Sequence, residues 1–185
     1  MVAIGALWLA ILLSAVLVFF LSAIIWNALP WHKTDFKRLP DEAAFREAMG
    51  PQNLPAGQYN IPYANSKADL EDPEILKRFN EGPVGFLIVA ERGVPQMARN
   101  LAVWFLFLLG VSGLVAYVCS RTLGPGAEYL RVFQIAGTVS WAAYGLAYMQ
   151  EGIWFSRPWS MVGKMIFDAL LYGMVTAGVF GWLWP

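Results

Sequence analysis

The sequence predicts an integral membrane protein, mainly α-helical, with four transmembrane helices and a small α+β extramembrane segment between the first and second. Three observations predict it. Of 185 residues, 58% are hydrophobic and only 14% are charged, too apolar a balance for an ordinary soluble domain of this size. Four apolar runs approach or exceed the roughly 20 residues that cross a hydrocarbon core of about 30 Å. Between the first and second runs lies a stretch that holds most of the charges and many of the prolines. The organisation is therefore residues 1–29, the first transmembrane helix; 30–99, the extramembrane segment; and 100–185, transmembrane helices two to four.

The first run, residues 2–26, carries no charge. It lacks the basic start of a secretory signal and is longer than such a signal's apolar stretch, so it reads as an uncleaved span. Trp26 and Trp31 mark the membrane interface behind it, and Lys33, Lys37 and Arg38 are placed to reach lipid phosphates. His32 is the one histidine of the chain. It reads first as an interfacial side chain, and as a ligand or proton carrier only if a partner group sets it.

In the segment that follows, "LPDEAAFREAMG" predicts a short helix with Asp41 as N-cap and Gly50 closing the end. "EDPEILKRFNEG" repeats the device, with Asp72 as N-cap, Pro73 at the first helical position and Gly82 as the stop. "GQYNIPY" and "GPVGFLIVAERG" predict strands, the first an edge strand because of Pro62. Few apolar residues remain to fill a core here, so the segment is expected to lean on the membrane surface or on a partner.

The second run, 100–119, is uncharged; the third, 132–149, is uncharged, short, and carries Gln134, Tyr144 and Tyr148. The fourth, 159–184, holds Lys164 and Asp168 in "GKMIFDALLYG". Lys164 lies about 8 Å in from Trp159 and Asp168 about 14 Å in, at 1.5 Å per residue. Lys164 can snorkel to the interface, but the short Asp168 side chain cannot, and a carboxylate there costs about 2.5–3.5 kcal/mol. The four-residue spacing predicts a pair within one helix, extended by an intramembrane polar network of Gln134, Tyr144, Tyr148 and Arg157. The pair reads as a packing anchor or as a proton or ion relay. Small residues recur every fourth position at Ala169, Gly173, Ala177 and Gly181, and similarly in the first two runs. Such stripes let helix backbones approach closely, within the chain or against another protein.

Basic residues crowd one side: Lys33, Lys37, Arg38, Arg46, Arg92, Arg99 and Arg157, against Arg121 and Arg131 opposite. The positive-inside rule then puts residues 30–99 in the cytoplasm and both chain ends outside. With zero net charge and no basic or zinc-binding motif, nothing points to nucleic acid. One cysteine and one histidine leave no metal-ligand spacing, and no nucleotide loop, catalytic constellation or cofactor motif is present. The "LPWHKTDFKRLPDE" box, the Gly82–Gly85 segment and the closing "RPWSMVGKMIFDALLYGMVTAGVFGWLWP" resemble a family of uncharacterised bacterial inner-membrane proteins. The resemblance covers nearly the whole chain and implies that membrane, but brings no activity or catalytic residue. The reading that follows is a non-catalytic accessory, assembly or scaffold subunit of a bacterial inner-membrane complex, with membrane lipids and other subunits or further copies as partners. A small oligomeric transporter or channel using Lys164 and Asp168 is the alternative, and a lipid-modifying membrane enzyme a further one.

Overall fold

The computed structural model describes all 185 residues and divides them into two units. Met1–Phe36, Gln96–Gly152 and Arg157–Pro185 form a helical unit; Lys37–Pro95 with Ile153–Ser156 form the other. The first long helix ends at Ala28, and the helical unit runs on to Phe36. The reason is chemical: the side chains of Trp31, His32, Thr34 and Asp35 are bonded to the last helix, as described below.

The helical unit contains α1 (Trp8–Ala23), α4 (Met97–Thr122), α5 (Tyr129–Gly145) and α7 (Trp159–Trp182). A tight turn before α1 and a wide one after it make one continuous helix over Ile4–Ala28. This helix, α4 and α7 are each long and apolar enough to cross a membrane. The third predicted span differs. Helix α5 has 17 residues, about 25 Å at 1.5 Å per residue, and stops at Gly145. A tightened turn follows, in which Met149 and Gln150 donate to the carbonyls of Leu146 and Ala147, and α6 (Tyr148–Trp154) continues the chain.

Helix direction alternates along the chain. Arg121 lies 3.8 Å from the Met1 sulfur, Gly126 N–H donates to the Pro185 carbonyl, and Trp184 donates to Gly124. Both chain ends thus sit beside the connection between α4 and α5. One apolar cluster at this end gathers Leu7, Val115, Val132 and Phe180; another, farther along, gathers Val18, Leu108, Tyr144 and Tyr172.

The small-residue stripe of α7 is occupied within the chain. A Cβ on Gly145 of α5 would lie 2.7 Å from that of Ala169, and one on Gly137 would lie 3.2 Å from that of Ala177. A Cβ on Gly173 would meet the Trp141 nitrogen at 3.2 Å and the Gly137 carbonyl at 3.3 Å, and one on Gly181 would meet the Tyr129 ring. The stripe lets α5 approach α7 backbone to backbone, with Trp141 donating across to the Ile166 carbonyl at 3.3 Å.

In the second unit, α2 (Glu42–Met49) and α3 (Pro73–Glu81) begin as predicted. The Asp41 carboxylate accepts from Ala44 N–H, and that of Asp72 from Glu74 and Ile75. Gly82, at φ +69°, ends α3. Gly50 does not end its helix by a left-handed turn; the chain tightens through Gly50–Gln52 and the left-handed residue is Asn53. Strands β1 (Gly57–Ile61) and β2 (Gly85–Val89) form one antiparallel pair, Tyr59 opposite Leu87. No residue between 37 and 95 is buried. Val84, Ile88 and Val94 are among the apolar side chains left mostly exposed.

Candidate functional site: a buried His–Asp cluster beside a cavity

After α1, Pro30–His32 make a single tight turn that carries Trp31, His32, Thr34 and Asp35 against α7. There His32 is buried and stacks on Trp26, ring centroids 3.9 Å apart and planes 7° from parallel. Its Nε2 lies 2.7 Å from Asp168 Oδ2 and its Nδ1 lies 2.6 Å from Asp35 Oδ2. Trp31 Nε1 donates to the other Asp168 oxygen at 3.1 Å. Lys164 donates to Asp35 Oδ1 at 2.5 Å and to Thr34 Oγ1 at 3.0 Å, and its ammonium lies 5.8 Å from the centre of the Trp31 ring.

This corrects two expectations. Lys164 and Asp168 do not pair with each other; each turns to the linker, and they are connected through Asp35 and His32 and through Trp31. His32 is not an incidental interfacial residue but the centre of the arrangement. Of the predicted network, Gln134 is exposed on α5 and takes no part. Arg157 is bound to Glu151 at 3.1 Å. Tyr144 is buried against Tyr172, ring centroids 5.7 Å apart, and its hydroxyl lies near Ser112 and Thr176 without a hydrogen bond to either. Lys33 is exposed. Asp35 was missed, although its three-residue spacing from His32 in a proline-initiated turn was readable.

The protons of the cluster can be counted. Each of the two short N···O contacts needs one hydrogen, supplied by an imidazolium between two carboxylates or by a neutral imidazole with one carboxylic acid. Either way His32, Asp35 and Asp168 carry −1 together, and Lys164 brings the four groups to zero. The cluster thus buries no net charge, which a site shielded from water favours. Asp35 illustrates the balance: burial pushes its carboxyl up, but the hydrogen bonds from Lys164 and His32 outweigh burial and hold it below the usual 3.8. The contacts from Lys164 through Asp35 and His32 to Asp168 form one continuous hydrogen-bonded series.

Asp168 also lines a cavity of about 990 Å³ within the helical unit, with Tyr148 and Tyr172 beside it. No group of three His, Cys, Asp or Glu side chains is arranged to hold a metal ion. The fold and site define a multi-pass membrane protein with a charge-neutral polar cluster and an adjoining cavity. Comparison of the chain with family models, curated proteins and solved structures gave no match.

Proposed function

We propose that the chain is a non-catalytic accessory or scaffold subunit of a bacterial inner-membrane complex, with four spans and residues 30–99 cytoplasmic. The observation that carries this reading is the second unit, which buries no residue between 37 and 95 and leaves Val84, Ile88 and Val94 exposed. A two-stranded sheet with two short helices is marginal without a further apolar surface. A partner subunit supplies one. The third span is α5 continued through α6: α5 pairs with α7 along nearly its whole length, and the chain ends lie at one end of the helical unit. The closing motif's resemblance to bacterial inner-membrane proteins and the crowding of basic residues on one side support the membrane and the orientation. Gentle-detergent purification tests the reading. A stoichiometric co-purifying protein that shields the 37–95 segment from protease is the expected result; a lone chain with that segment freely cleaved overturns it.

A second reading, a small transporter, is favoured by one observation: the hydrogen-bonded series Lys164, Asp35, His32, Asp168 ends on the cavity wall. A relay predicts that Asp168→Asn folds normally and abolishes proton-coupled uptake in proteoliposomes. Unchanged uptake rejects it.

A further inference from the structure

The cavity beside Asp168 has a graded wall. One end of it is polar, with Asn27 in the wide turn after α1 and Arg99 and Asn100 in the first turn of α4. Farther along the same helices the wall is aromatic, with Phe19 on α1 and Trp104 and Phe107 on α4. From Arg99 to Phe107 helix α4 rises about 12 Å, at ~1.5 Å per residue. A volume of about 990 Å³ is at the upper end of the range for small-molecule sites, roughly 300–1,000 Å³. A polar end followed by an apolar length suits a molecule with a head and a chain.

The sign of the head follows from the charges. Asp168 is the only carboxylate on the wall, and His32 and Trp31 already hold both its oxygens. Arg99 is the only cation on the wall and takes part in no ion pair. What remains uncompensated is positive and at the Arg99 end of the wall. Aromatic walls alone would also receive a lipophilic cation, but Arg99 repels one, and Asp168 belongs to a cluster that is neutral as a whole.

We propose that this cavity binds one amphiphile with an anionic head group, the head at Arg99 and Asn100 and the chain between Trp104, Phe107 and Phe19. The site is independent of whether a partner subunit docks. The head can be the phosphodiester of a phospholipid or the carboxylate of a fatty acid, and the two are separable by experiment.

The test is native mass spectrometry of the full chain, purified in maltoside detergent and stripped of lipid. Dioleoylphosphatidylglycerol, oleate, dioleoylphosphatidylcholine and tetraphenylphosphonium are offered in turn. One anionic molecule per chain should be retained about fivefold more tightly than phosphatidylcholine, the preference that one basic side chain gives near an anionic surface. Retention of phosphatidylglycerol alone assigns a phosphodiester head, and of oleate alone a carboxylate. Arg99→Gln should remove the preference, while Arg121→Gln, at the opposite end of α4, should keep it. Ala23→Trp and Val103→Trp, both at exposed positions lining the cavity, should each abolish retention. Equal retention of phosphatidylcholine, preference for tetraphenylphosphonium, or lipid held as before by a monodisperse tryptophan variant overturns the proposal.

Discussion

Replacing His32 by alanine leaves Asp168 and Asp35 each without the imidazole that faces it, inside a site from which water is largely excluded. Breaking a buried pair from one side typically costs about 3–5 kcal/mol, so His32→Ala should lower stability by about 3 kcal/mol, read as thermal unfolding in detergent. Asp168→Asn should cost only about 1 kcal/mol, because an amide still accepts from Trp31 and can donate to Nε2 of a neutral His32. The partner of Lys164 is Asp35, so a double-mutant cycle of Lys164→Met with Asp35→Asn should show coupling well above that of Lys164→Met with Asp168→Asn. The depressed pKa of Asp35 gives a pH dependence of known sign. Its stabilisation is complete above the ordinary carboxylate value of 3.8 and is lost as pH falls through the lower folded value. Lys164→Met removes the largest of the lowering contacts, so acid unfolding should begin at a higher pH in that variant. At this scale the sequence exposed the problem but not its solution. An aspartate 14 Å into an apolar run announces that it needs a partner. That partner stands 136 positions away in a linker, and no periodicity connects the two.

The approach of α5 to α7 makes a graded set of glycine substitutions informative. At Gly145 and Gly173 a methyl group meets atoms fixed to the backbone, the Ala169 Cβ at 2.7 Å or the Trp141 nitrogen and Gly137 carbonyl near 3.2 Å. Gly145→Ala and Gly173→Ala should each cost about 1–3 kcal/mol through overpacking. At Gly181 the obstacle is the ring of Tyr129, which is half exposed and can swing away. Gly181→Ala should be nearly neutral. Gly110→Ala, with nothing within 4 Å, should stabilise α4 by up to about 1 kcal/mol through helix propensity. Ranking the four by retained fold after mild heating checks the order; equal damage at all four positions would remove close approach as the reason for the stripe. The stripe was legible because four-residue spacing keeps small side chains on one face. Its partner was not, because glycines at 137 and 145 are eight apart and form no stripe of their own by residue type. The caps Asp41 and Asp72 were legible for a local reason: each bonds within three residues.

For the molecule as a whole, orientation is the accessible test. Reporter fusions after Asn65 should read cytoplasm, and fusions after Pro185 the opposite side; a cytoplasmic reading at both would mean that α5 and α6 do not cross. The division into a charged segment and apolar runs was plain from composition. The helical unit runs past the first span to Phe36 because "PWHKTDF" has the composition of a loop and the contacts of a helix-bundle residue set. That attachment bears on biogenesis. A ribosome completes His32 and Asp35 more than a hundred residues before Lys164 and Asp168. Through that interval the early half of the cluster is unmated, and it closes only when the last helix inserts. A chain stopped after Pro158 therefore displays an unfinished cluster, His32 and Asp35 facing each other but with neither the Asp168 carboxylate nor the Lys164 ammonium. Such a chain should be cleared by membrane proteases faster than the full-length protein in a pulse-chase, and co-synthesis of residues 159–185 as a separate peptide should lengthen its life. Equal lifetimes would mean that surveillance does not read this end of the bundle. The last helix thus completes a cluster that the first linker begins.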